Sequence, residues 1–347
     1  MCELLGLSFN KNVQISLSMK SFIHRGDRNP HGWGIAYYPD DSKAAIVLKE
    51  PVKARMSIFP ELLNMQKINS GIFIAHVRYT SVGERNLANT HPFSRCYKGK
   101  NFTFAHNGTL SGSYRYNLDY GPFEPLGETD SEHAFCYLLD KIQAGHLYSG
   151  IIPDFDKIFG LLRNINSYGN FNCLFSDGTY LYAYRDTNGY NGLCYTKRQY
   201  PFDSINLVDE DYAIDLSSEK ARDEYGYVVA TRPLSDENWV NLEPGTLVIF
   251  KKGIIEYSSG GNAPLDKIDL RILKLLRESD HRKSLTQIEL NLGENSQVYK
   301  RICNLIYMGY VKQDSRDNIG QPASENTYYT IRSKRDEIDL LIKELSE

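Results

Sequence analysis

Hydrophobic positions in the first 257 residues come mostly in short runs with strand character. These are Ile35 to Tyr38, Ala44 to Leu48, Gly71 to Val77, Phe102 to Ala105, Phe171 to Phe175, Tyr180 to Tyr184, Tyr227 to Ala230 and Thr246 to Phe250. Between two of them, Ser176, Asp177, Gly178 and Thr179 supply turn chemistry, because Gly after Asp tolerates a positive φ. Ser131 to Ile142 and Phe155 to Ile165 instead space apolar residues three and four apart, as a helix laid on a sheet does. Many strands with few helices predict an α+β fold of stacked antiparallel sheets covered by helical layers.

Small and helix-breaking residues follow: Ser258, Ser259, Gly260, Gly261, Asn262, Ala263 and Pro264. They divide the chain into residues 2–257, a linker at 258–265 and a second domain at 266–347. Beyond the linker the pattern turns helical. Ile268, Ile272, Leu273, Leu275 and Leu276 form one apolar face, and helices are expected near Leu285 to Leu290, Ser296 to Met308 and Asp336 to Leu345. Two strand-like pieces, Tyr310 to Lys312 and Thr327 to Ile331, lie between the last two.

Composition narrows the function classes. A net charge of −3 supplies no global field for nucleic acid or an anionic membrane, so any claim on either must rest on a local feature. No apolar run approaches the roughly 20 residues that span a bilayer, and no signal-peptide pattern opens the chain, which points to a cytoplasmic protein. The six cysteines are scattered without a CxxC pair, arguing for a reducing compartment and no structural zinc. His and acidic residues show no metal-ligand spacing, and neither a metal nor a cofactor is expected.

The candidate chemistry begins at Cys2. Loss of Met1 would leave a thiol and a free α-amine on one residue. That amine has an ordinary pKa of about 7.7 to 8.0, so it can take the proton of its own thiol near neutrality. A lone cysteine is more often an ordinary buried hydrophobe, and three further segments change that weight. HVRYTSVGERNLANTHPF (76–93) carries Arg78 and Thr80, HNGTL (106–110) carries Asn107 and Gly108, and GETDSEHAF (127–135) carries Asp130. Each has a plainer alternative: a surface ion pair for Arg78, a turn for Asn-Gly, and a helix N-cap at Thr129 or Asp130.

In order and approximate spacing these segments resemble the class II glutamine amidotransferase domain, an N-terminal-nucleophile hydrolase. MCELLGLSFN and HRGDRNPHGWGIAYYPD (24–40) look closer to the stand-alone branch that includes the component associated with glutathione breakdown. The resemblance covers residues 2 to about 257 and implies a four-layer αββα sandwich. It makes Cys2 the nucleophile and assigns Asn107 and Gly108 to the oxyanion. Arg78 and Thr80 go to the substrate carboxylate end and Asp130 to its α-ammonium. The implied activity is hydrolysis of the γ-amide of glutamine or a γ-glutamyl compound through a thioester. Members that build products carry a synthetic domain behind the glutaminase; here only a short stretch follows, so ammonia would need a separate accepting enzyme. Gly32 and Gly34 around Trp33 are expected to form a turn near the site. His76, His91 and His106 adjoin strand ends and are assigned to structural hydrogen bonding.

The second domain resembles a winged helix-turn-helix, with Leu292 and Gly293 at the turn, Ser296 capping the recognition helix and residues 310 to 331 as the wing. In a DNA-binding reading Gln297, Lys300 and Arg301 face the major groove, with Lys312 and Arg316 near phosphates. Acidic and basic residues are about equally numerous there, which weakens the electrostatic footprint. Homodimerisation or docking of a partner is the alternative use. The competing readings for the whole chain are a γ-glutamyl amidohydrolase, a glutamine-sensing DNA-binding regulator, and the glutaminase subunit of a two-protein amidotransferase.

Overall fold

The computed structural model describes the chain except residues 1, 15, 59–67, 81–82, 151, 209–212, 260–264, 266, 279–281, 293–297, 299–300, 303–304, 306–309, 314–326, 331–333 and 345–347. Two units emerge, Met1–Glu256 and Tyr257–Glu347.

The first unit is built on β1 (Glu3–Gln14), a strand absent from the sequence expectations. Its residues are apolar at successive positions because both faces are buried: Leu5, Leu7 and Phe9 point one way, Leu4 the other. β2 (Trp33–Tyr37), β3 (Ile46–Glu50) and β4 (Asn69–Val77) lie on one side of it. β5 (Phe93–Tyr97), β6 (Lys100–Leu110), β7 (Gly169–Ser176) and β8 (Leu181–Tyr184) belong to a second sheet. β9 (Cys194–Gln199) returns to the first, while β10 (Ser204–Asn206) and β11 (Ala213–Asp215) pair with each other. β12 (Tyr225–Ala230) and β13 (Val240–Asn241) complete the first sheet, and β14 (Leu247–Lys251) and β15 (Ile254–Ser258) the second. The orders are β13-β9-β12-β1-β4-β2-β3 and β15-β14-β8-β7-β6-β5.

The two sheets face each other. Leu4, Ile72, Ile74 and Val229 of the first meet Ala105, Leu174, Leu181, Ala183 and Phe250 of the second in one apolar cluster. Met19 and Phe22 of the helix Ser16–Arg25, also unforeseen from the sequence, cover Leu5, Phe73 and Val228 on the outer face of the first sheet. On the outer face of the second, Phe135 of the helix Asp130–Ala144 stacks on Phe104 at 5.1 Å, and Phe155 of the helix Phe155–Asn166 meets Tyr182. Thr129 and Asp154 are the N-caps of these helices, accepting from the N–H groups of Glu132 and Lys157.

Trp33 and Gly34 are not in a turn. They begin β2, and Gly34 is required because a β-carbon there would collide with the His91 carbonyl oxygen. The left-handed backbone is at Gly32, one residue earlier, with φ 151°.

In the second unit the helices Lys267–Arg277, Leu285–Leu292 and Arg335–Glu344 accompany β16 (Lys283–Ser284), β17 (Val311–Gln313) and β18 (Thr327–Thr330), ordered β16-β18-β17. Leu273, Ile288, Ile302, Val311, Tyr328 and Ile338 share one core. Gly293, Ser296, Gln297, Lys300 and Arg316 lie outside the described residues. Arg301 is described, and its guanidinium binds Asp269 at 3.1 Å, so its charge is engaged within its own unit.

Candidate active site

β1 and β4 pair from Glu3 opposite Val77 onward. Cys2 and Arg78 therefore sit just past the last rung of the ladder, where side chains are free of strand pairing yet held by it. The half-buried thiol of Cys2 accepts the Tyr79 backbone N–H at 3.1 Å, and its carbonyl accepts from Asn107 Nδ2 at 2.6 Å. Burial pushes the Cys2 thiol up, against the pull of the Tyr79 backbone and Arg78 and with a push from Asp130. The thiol consequently stays protonated near neutrality and needs a base to become a nucleophile.

Asn107 reaches Cys2 from β6, across the gap between the sheets. A β-carbon on the next residue, Gly108, would collide with the Asn170 carbonyl on β7, so the close pairing of β6 with β7 demands glycine there. Arg78 is buried. Its N–H donates to Gly32 O at 2.7 Å and its Nη1 to Glu84 O at 3.1 Å. The Thr80 N–H donates to His31 Nδ1 at 2.8 Å. Burial and the nearby Arg85 and Arg78 lower the pKa of His31, which keeps that nitrogen an acceptor. Asp130 opens its helix and is buried beside β6, taking the Leu110 N–H at 2.7 Å. Its charge and that of Arg78 both act on Cys2, which puts opposite signs within reach of one thiol.

The three histidines separate. His106 hydrogen bonds to Ser131 Oγ at 2.8 Å and to the Asn170 carbonyl at 3.1 Å, so its Nε2 carries the proton and donates. His76 and His91 instead pack against each other, ring centres 4.2 Å apart and tilted by 38°, and among the described residues their ring nitrogens make no close hydrogen bond, the His106 backbone exerting only a small upward pull on His76. Structural hydrogen bonding thus describes His106 and not this pair. Burial drives His76 down to about 3 and His91 far below the ordinary value, so both are neutral and unsuited to proton transfer near pH 7.

Several neighbours of Cys2 were not foreseen. Asn191 Nδ2 reaches the same Cys2 carbonyl at 3.3 Å from the loop between β8 and β9. Glu3, buried next to Cys2 in the chain, binds Arg25 at 2.7 Å and also Arg232. A lone Asn in a Gly-rich loop carries no local signal; a buried Glu next to Cys2, with Arg in the HRGD segment, is the one hint that was available. Among the described residues no group of three or more His, Cys, Asp or Glu is placed to hold a metal, and no helix is long and apolar enough to cross a membrane.

The family model for class II glutamine amidotransferases matches residues 1–268. The uncharacterized protein MJ1515 of Methanocaldococcus jannaschii is 46% identical across 99% of this chain and 97% of its own. YafJ of Escherichia coli is 39% identical over 73% of this chain and 98% of its own length. The crystal structure of a predicted glutamine amidotransferase from Pseudomonas aeruginosa is 28% identical, with a TM-score of 0.54 over 74% of this chain and all of that one. A family match over the whole region that carries Cys2, Arg78, Asn107 and Asp130, joined to relatives of this identity, makes the chain a member of the class II glutamine amidotransferases.

Proposed function

We propose that the chain, after loss of Met1, hydrolyses the γ-amide of glutamine or of a γ-glutamyl compound by a cysteine mechanism. The observation that carries this reading is the convergence on Cys2 of Asn107 from one sheet with the charges of Arg78 and Asp130. The α-amine of Cys2 accepts the thiol proton and Sγ attacks the amide carbon. Asn107 has a second amide hydrogen beyond the one on the Cys2 carbonyl. That hydrogen and the Gly108 N–H stabilise the oxyanion. The amine then returns its proton to the leaving nitrogen, and water releases glutamate from the thioester. Arg78 holds the α-carboxylate with its planar fork, the Thr80 segment lies beside that carboxylate, and Asp130 faces the α-ammonium.

The reading extends to architecture. Two facing sheets with helices outside both support a four-layer αββα sandwich. Three helices with a three-stranded sheet support a winged-helix second domain, after a linker at 258–265. The protein acts in the cytoplasm and passes ammonia to a separate acceptor.

Glutamate release is measured from glutamine and from glutathione, with mature protein and with Cys2→Ala. Turnover of either substrate that vanishes in Cys2→Ala is expected. Equal release by both proteins would remove the cysteine mechanism.

A further inference from the structure

An N-terminal nucleophile has a particular mechanical problem. Residue 2 has no strand partner, since the β1–β4 ladder starts at Glu3, and once Met1 is gone no preceding peptide bond restrains it. Its orientation then depends on what holds its carbonyl and its side chain. Among the described residues the thiol is held only by the Tyr79 backbone. The carbonyl is held by two amides, Asn107 Nδ2 at 2.6 Å and Asn191 Nδ2 at 3.3 Å.

Asn191 is built for this position. Its φ is 58°, in the left-handed region where Asn is among the few tolerated side chains. The loop that carries it leaves β8 in one sheet and enters β9 in the other, so it crosses at the Cys2 end of the unit. Buried Asp186 anchors it: one carboxylate oxygen takes the N–H groups of Asn188 and Tyr190 at 2.8 and 3.0 Å, the other that of Phe171 at 2.8 Å. Asn172 Nδ2 adds a bond to the Tyr190 carbonyl at 2.7 Å. With Tyr190 pinned just before Asn191, and the Leu193 carbonyl just after it accepting the Leu242 N–H at 2.9 Å, the loop delivers the Asn191 amide to one place.

We infer that Asn191 is a positioning residue for the nucleophile: together with Asn107 it clamps the Cys2 carbonyl, so that the orientation of residue 2 does not rest on Asn107 alone. Clamping the carbonyl fixes the rotation about the Cα–C bond of Cys2, and so where its α-amine and its β-carbon lie relative to Asn107. This rests on the reading of Cys2 as nucleophile.

The test separates the amide from the backbone conformation. Asn191→Gly keeps the left-handed backbone and deletes the donor, Asn191→Asp keeps the shape and replaces the donor with an acceptor, and Asn191→Ala loses both. Mature proteins are compared for kcat and KM with glutamine, thermal midpoint, and the iodoacetamide alkylation rate of Cys2 followed on its N-terminal peptide. Asn191→Gly and Asn191→Asp are expected to lower kcat roughly 3- to 10-fold, the worth of one hydrogen bond, with KM and thermal midpoint unchanged and slower alkylation of Cys2. Wild-type kcat and alkylation in Asn191→Gly, with loss confined to Asn191→Ala, would overturn the clamp and leave only a backbone role. Cys2→Ala runs alongside. If it matches wild type, the nucleophile reading fails while the alkylation rates still decide whether Asn191 orients Cys2.

Discussion

The side-chain amide of Asn107 donates to the carbonyl oxygen of Cys2 at 2.6 Å, linking a residue of β6 to the residue before β1. One of its two N–H bonds is thereby spent on the Cys2 backbone, and in the proposed mechanism the other serves the oxyanion. Asn107→Asp keeps the shape but presents an acceptor to both. The expected result is a kcat lower by about 10²- to 10³-fold with little change in KM. Steady-state glutamate release would decide it, and a change confined to KM would mean that Asn107 merely binds substrate.

Gly108→Ala forces a β-carbon against the Asn170 carbonyl, so β6 and β7 must part locally. Stability should fall by about 1 to 3 kcal/mol, as overpacked sites do, and activity should fall further because the proposed oxyanion donors move with the strand. Denaturant midpoints compared with activity under native conditions check both. Unchanged stability would show that the strand pair yields without cost.

Arg78 is buried with its guanidinium partly tied to the Glu84 carbonyl, which fixes the plane of the fork. Arg78→Lys retains the charge and loses the bidentate geometry. KM for glutamine is expected to rise about tenfold or more, with a smaller effect on kcat. An equal KM in the two proteins would show that the carboxylate is bound elsewhere.

The buried ring pair of His76 and His91 predicts an acid weakness unconnected with catalysis. Both rings are held neutral in the folded chain, His76 down to about 3, whereas the unfolded chain takes up a proton near the ordinary value of 6.5. The stability they contribute is present in full above that value and is lost as pH falls below it, until the folded rings also protonate. The loss approaches about 1.4 kcal/mol per pH unit for each ring. Urea midpoints measured from pH 7.5 to 4.5 should decline over this window, and His76→Gln should make the decline shallower. A midpoint independent of pH down to 5 would show that the pair is solvated.

Local rules sufficed wherever a residue's role is set by its near neighbours in the chain. Thr129 before an amphipathic run is an N-cap in the structure, and the Ser176–Thr179 turn separates β7 from β8 because Asp and Gly favour that geometry over a few residues. The segments around Arg78, Asn107 and Asp130 stood out for the same reason: each is short, and the residue types within it suit the role proposed for it at one end of an amino-acid amide. β1 was not legible, since a strand buried on both faces loses the alternation that marks a strand, and the helix Ser16–Arg25 owes its place to the sheet it covers.

The sequence by itself determined the chemical alphabet of this protein and the order in which it is presented. Only the tertiary structure decided that His76 and His91 bury their rings against each other while His106 is satisfied by Ser131 and Asn170. The same holds for the Cys2 carbonyl, which lies between two amides 105 and 189 positions away along the chain. No local propensity encodes such distances. They are set when two sheets close over one apolar interior and bring their strand ends and crossing loops to a common edge.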